Sequence, residues 1–185
     1  MNDSSVHDQE KNTNGEQQRQ LATFAAGCFW CVEAVFERLK GVISVTSGYS
    51  NGHDLEPDYK KVCTGETGHA EVVRIEFDPA LIAYGELLDV FWRAHDPTTL
   101  NRQGADTGTQ YRSGIYWHDE EQRDIAEKSK AAAADLWEDS IVTEIEPLTN
   151  FHPAEDYHQD FYRNNPSNPF CMVTIPPKLK KLGLE

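Results

Sequence analysis

The stretch that most constrains this chain is an apolar run that stops at a glycine and a pair of cysteines. Residues 21–26 read as a buried strand. Gly27 permits a sharp turn. Residues 32–40 then read as a helix, with Val32, Val35, Phe36 and Leu39 at helical spacing. Cys28 therefore falls where a strand ends and a helix begins. Unpaired N–H groups and the positive end of the helix dipole favour an anion there. The thiol is thus expected to ionise easily, and the thiolate is the reactive form. Phe29 and Trp30 follow at once and place apolar surface beside the sulfur. Cys28 is the candidate nucleophile, in an aromatic pocket.

The rest of the chain supplies elements to build around that corner. Gly41 reads as the cap that closes the first helix. Residues 42–49, 70–77, 113–117 and 141–148 read as strands. Residues 84–94, 119–136 and 154–163 read as helices, Asp119 serving as an N-cap. Residues 59–63 form a short connector, and residues 95–110 a long loop of the kind that often carries function. Residues 164–185 hold Pro166, Pro169, Pro176 and Pro177 and read as an irregular tail. This order predicts an α+β fold: a two-layer sandwich with a mixed, largely antiparallel sheet and a ferredoxin-like core.

The length of 185 residues fits one domain, over residues 21–185, after a polar stretch at 1–20 expected to be disordered. That stretch lacks the apolar centre of a signal peptide, and no run of about 18 apolar residues follows, so a cytoplasmic protein without a membrane span is expected. A net charge of −14 argues against nonspecific binding to nucleic acid. The four cysteines include only one close pair, Cys28 and Cys31, whereas structural zinc sites usually show two. The histidines show no metal spacing, and no phosphate loop or dinucleotide fingerprint is present. No metal is expected.

Alternation places Glu71 on the same side of its strand as Val73 and Ile75. Buried there, its pKa would rise and suit a general acid; at a strand edge it would be a solvated carboxylate. The sequence leaves both open. Tyr59, Tyr111 and Asp106 sit in loops or at loop ends, where a phenol can donate a hydrogen bond. The C-x-x-C pair at a helix start also fits a thiol–disulfide oxidoreductase. Phe29-Trp30 resembles a ligand pocket more than a small exposed dithiol.

Taken together, the motifs resemble the A-type peptide methionine sulfoxide reductases. Gly27-Cys28-Phe29-Trp30 is similar to that family's signature. Gly48-Tyr49, Pro57-Asp58-Tyr59 through Cys63, Thr67-Gly68-His69-Ala70-Glu71, His95-Asp96-Pro97-Thr98, Asn101 through Ser113, Phe151 and Ala154-Glu155-Asp156-Tyr157-His158-Gln159 follow in the family's order. The resemblance implies reduction of methionine S-sulfoxide, free or in proteins, with thioredoxin as electron donor and no cofactor; a monomer is expected. It implies Cys28 as nucleophile, Glu71 as acid, Tyr59, Tyr111 and Asp106 as polar groups at the site, and Phe29 and Trp30 around the substrate methyl. The family's second thiol usually lies in the C-terminal tail, which points to Cys171 as the resolving thiol. Cys31, one helical turn from Cys28, competes with it, and Cys63 is expected to be structural.

Overall fold

Alternation along the strands decides what each face of the sheet covers. The computed structural model describes residues 18–185. The expectation for residues 1–20 falls outside the described residues at its first 17 positions, and Gln20 already belongs to a strand. In chain order the elements are β1 (Gln20–Ala26), α1 (Phe29–Phe36), β2 (Val42–Ser50), α2 (Tyr59–Cys63), β3 (Ala70–Phe77), α3 (Tyr84–Ala94), β4 (Arg102–Gln103), β5 (Asp106–Thr107), β6 (Ser113–Trp117), α4 (Glu120–Ala133), β7 (Glu144–Pro147), β8 (Phe151–Pro153), α5 (Phe161–Asn164) and α6 (Pro169–Leu182).

Six strands form one sheet in the order β7-β6-β1-β3-β2-β8. β6 and β7 run parallel, and the other neighbours are antiparallel. The inner four, β6-β1-β3-β2, with α1 and α3 as crossovers, make the expected ferredoxin-like core. Ala22, Phe24 and Ala26 of β1 and Val73, Ile75 and Phe77 of β3 face the helices. They pack with Val35 and Phe36 of α1, Leu87, Leu88 and Phe91 of α3, and Ile175 of α6. Each large side chain buried here contributes about 1.5–3 kcal/mol. The opposite face buries Ala25, Ala70, Val72 and Tyr116, a smaller cluster.

The structure departs from the sequence reading in several places, among them the β4–β5 hairpin within the expected 95–110 loop and the added strand β8. α1 starts at Phe29 because Phe29, Val32 and Phe36 extend one buried stripe. It ends at Phe36, so Gly41 is no helix cap; at φ +99° it shapes the turn before β2. Residues 59–63 are a helical turn, α2, whose N-cap Asp58 accepts from the Lys61 N–H at 2.9 Å. The helix expected at 154–163 is a 3₁₀ turn and α5, split by Asp160 at φ +51°.

The largest departure is the C-terminal segment, which is ordered as α6 rather than irregular. Asn168 caps it by accepting from the Phe170 and Cys171 N–H groups, Pro169 opens it, and Gly183 closes it at φ +68°. Pro176 and Pro177 remove the donors that would reach the carbonyls of Met172 and Val173. Those two residues are 58% and 73% exposed, on the solvent side, where water can satisfy the carbonyls.

Candidate active site

β1 ends at Ala26, and Gly27 turns the chain at φ +83°. A Cβ at Gly27 would stand 2.6 Å from Cγ of Gln103, so only glycine fits beneath the β4–β5 hairpin. Cys28 is then the N-cap of α1, and its carbonyl accepts from the Cys31 and Val32 N–H groups at 3.1 and 3.4 Å. The Phe29 N–H, free of any intrahelical partner at this position, donates to Oε2 of Glu71 at 3.0 Å. Strand pairing puts Glu71 opposite Tyr49 of β2.

Glu71 is therefore the buried carboxyl of the two alternatives, 2% exposed. Burial pushes its pKa up to about 8, the Phe29 N–H opposes this, and Asp106 and Cys31 add to it. It holds a proton at neutral pH. Tyr59, at the start of α2, and Tyr111, in the 3₁₀ turn after β5, face the same carboxyl. Both phenols are raised by burial first; Cys63 and then Glu71 add to the rise for Tyr59, and Glu71 and then Tyr59 for Tyr111. They remain donors at every physiological pH. Asp106, on β5, is raised by burial and lowered by Lys178.

The aromatic wall is held from far along the chain. Trp30 stacks flat on Phe161, ring centroids 3.8 Å apart and planes within 7°. Its Nε1–H donates to Nδ1 of His158 at 3.0 Å. The His158 ring lies 5.0 Å from Phe29 and 4.5 Å from Tyr59. Buried Glu33 fixes this segment, its two oxygens accepting from the Asp160 and Phe161 N–H groups at 3.0 and 3.2 Å. Burial pushes Glu33 up to about 7 against those two bonds. Of the residues that hold Trp30 in place, His158 lies in one of the motifs of the sequence, whereas Phe161 and Glu33 carry no motif. The signal for Glu33 is its place on the buried stripe of α1, one turn past Trp30.

The thiols are arranged differently from the sequence expectation. All four cysteines are free. Cys28 does not ionise easily: its hydrogen bond to Cys31 raises its pKa, as do burial and Glu71, and together they outweigh the N–H of Trp30. The pair loses its first proton from Cys31, lowered to about 7 by its bond with Cys28 and, against burial, by Lys178 and Thr174. The Cys31 thiol reaches Oγ1 of Thr174 at 3.6 Å, and that hydroxyl donates to the Phe170 carbonyl at 2.7 Å. A cavity of about 230 Å³ lies over the two sulfurs, lined also by Asp106, Thr174 and Lys178.

Cys171 lies in α6, not in an irregular tail, and is fully buried. Burial raises its thiol, and the neighbour that adds to this is Cys31. It therefore stands behind Cys31. Cys63 is exposed at the end of α2 beside Tyr59. Among the described residues no group of three or more His, Cys, Asp or Glu is placed to hold a metal, and no helix is long and apolar enough to cross a membrane.

The chain as a whole is similar to known proteins. The family profile described as "Peptide methionine sulfoxide reductase" matches residues 20–184. The chain is 57% identical over 163 residues to a peptide methionine sulfoxide reductase MsrA of Acinetobacter baumannii, covering 88% of this chain and 94% of that one. Among solved structures, reduced Mxr1 of Saccharomyces cerevisiae aligns with a TM-score of 0.80 at 38% identity, covering 86% of this chain and 90% of that one. Mxr1 in complex with Trx2 aligns at 0.58 and 28% identity, covering 82% and 91%. Matched by that profile over nearly all its described length and by relatives at this identity, the chain belongs to the peptide methionine sulfoxide reductase family.

Proposed function

We propose how the residues of this site divide the family's reaction among them. The chain reduces methionine sulfoxide to methionine in the repair of oxidised proteins. A sulfoxide oxygen leaves poorly until it is protonated. Glu71 supplies that proton while Tyr59 and Tyr111 donate hydrogen bonds to the oxygen and Asp106 adds polarity at the mouth. Cys28 attacks the sulfoxide sulfur, with the methyl group against Phe29 and Trp30. The oxygen ends on Cys28 as a sulfenic acid, the methionine sulfide leaves, and the thiol proton returns to Glu71. The S epimer is the substrate assigned to this chain. The carrying observation is Glu71, buried and protonated near neutrality, bonded to the N–H next to Cys28.

Cys31 is the resolving thiol in this reading, in place of the C-terminal Cys171. It shares the cavity with Cys28 and is the more acidic of the two. Its sulfur attacks the Cys28 sulfenic sulfur, the S–S bond forms, the S–O bond breaks, and the departing hydroxide takes a proton to become water. A dithiol of the thioredoxin class then returns two electrons and two protons by thiol–disulfide exchange; Mxr1 with Trx2 supports that choice. The chain acts as a cytoplasmic monomer in this proposal.

Turnover of each sulfoxide epimer with thioredoxin supplied tests the reading, and activity confined to the R epimer overturns it. Peptide mapping after one equivalent of sulfoxide without reductant tests the thiol assignment. Cys28 joined to Cys31 is expected; Cys28 joined mainly to Cys171 returns the role to Cys171.

A further inference from the structure

The C-terminal helix α6 presents one stripe to the thiols. Cys171, Thr174 and Lys178 are spaced three and four apart on α6 and so share a face. Thr174 meets the Cys31 sulfur, and Lys178 closes the cavity over both sulfurs. Lys178 is half-buried, and among the described residues its ammonium forms no ion pair within 4 Å. A cation placed in such a cavity, with two thiols and one carboxylate for company, has an anion to serve.

We infer that Lys178 is a positioning residue for the resolving step, its ammonium holding the charge of the Cys31 thiolate while Cys31 attacks the Cys28 sulfenic acid. The inference rests on the assignment of Cys31 as resolving thiol. The titratable groups that face Cys31 are Cys28 on the α1 corner, Glu71 on β3, Asp106 on β5, and Cys171 and Lys178 on α6, with Lys181 beside Lys178. Of these, Lys178 is the cation that lowers Cys31, and Asp106 opposes it. The thiols reciprocate: burial lowers the Lys178 pKa, while Cys31, Cys28 and Asp106 support its charge. At Cys28 the bond with Cys31, burial and Glu71 outweigh any such pull, and its own step draws its proton from Glu71. Lys178 therefore separates the two halves of the reaction: it acts on the removal of the sulfenic oxygen, not on its arrival.

The test uses the full chain, one equivalent of methionine sulfoxide and no reductant, with the sulfenic acid trapped by dimedone and the disulfide mapped over time. In Lys178→Met the Cys28–Cys31 disulfide is expected to form about five- to tenfold more slowly at pH 7, because without the cation burial and Asp106 leave a smaller fraction of Cys31 ionised there, with part of the loss recovered through higher nucleophilicity. Trappable sulfenic acid then builds up after methionine release. The deficit narrows to within about twofold by pH 9.5, where the thiolate forms unaided. Lys178→Arg restores the pH 7 rate. The methionine burst in each variant reports a folded site. Equal disulfide rates in wild type and Lys178→Met at pH 7, with Cys28–Cys31 still the product, overturn the inference and leave Cys31 in its role. A deficit that is the same at every pH assigns Lys178 to packing and also overturns it. A wild-type product joining Cys28 to Cys171 removes the reading beneath it.

Discussion

The two sides of Cys28 are built for opposite charges. On the β3 side stand a buried carboxyl at about 8 and two phenols held protonated, with no cation among the groups that shift them. On the α6 side stand Cys31 at about 7, a threonine hydroxyl and Lys178. One wall keeps protons and the other keeps an anion, within reach of the same sulfur. The difference teaches that a single thiol can take an oxygen at one wall and give it up at the other, if each wall is desolvated separately. The helix N-terminus alone would not achieve this, since its pull on Cys28 is outweighed by burial and by the neighbours.

Breaking the shared sulfur has the largest effect. Cys28→Ser should abolish methionine release in a single-turnover assay, because a hydroxyl is scarcely ionised and is a far weaker nucleophile. Removing the proton from the first wall comes next. Glu71→Gln should slow methionine release by about 10²–10⁴-fold with an unchanged circular dichroism spectrum. In wild type that rate should fall as pH rises through about 8, and the variant should lack this limb. Stability carries the same sign. The folded pKa lies above the ordinary 4.5, so the folded state binds the extra proton between about 4.5 and 8, and Glu71 costs stability progressively as pH rises through that window. Urea titrations of wild type and Glu71→Gln should diverge there.

The aromatic wall gives smaller effects. Trp30→Ala should raise KM for methionine sulfoxide by about 10–200-fold, the worth of packing one methyl group, while most of kcat survives. Glu33→Gln keeps the shape but leaves one of the two N–H groups of Asp160 and Phe161 facing an amide NH₂. Loss of one hydrogen bond is worth about 0.5–1.5 kcal/mol, so KM should rise only about 2–12-fold. A change in kcat with constant KM in that variant would detach Glu33 from the wall.

Much of the proton-holding wall is legible in the chain, and little of the other. The 21–26 run, Gly27 and the alternation that sends Glu71 inward with Val73 and Ile75 are local patterns, and they place the nucleophile and the carboxyl. Whether Glu71 is buried depends on what covers its face, which alternation does not say. Trp30 and His158 meet across 128 positions, beyond any local pattern. α6 is hidden by Pro176 and Pro177, which break a helix in the interior but are tolerated where the freed carbonyls face water. The acidity of the thiols is misjudged for a related reason: a helix dipole can be read from sequence, whereas desolvation and a lysine brought in by α6 cannot.

Gly27 bears on more than the turn. Gln103, the side chain that a methyl at 27 would strike, is pinned by its amide to the backbone of Asp96, accepting at 3.2 Å and donating at 2.9 Å. It is also the register partner of Asp106 across the β4–β5 hairpin. Relief at position 27 therefore has to come from the hairpin as a body, and Asp106 moves with it. The glycine acts as a gauge block between the nucleophile corner and the hairpin that roofs the sulfurs. It sets the aperture of the cavity, so a change in girth there would retune access to both thiols without altering any group that reacts.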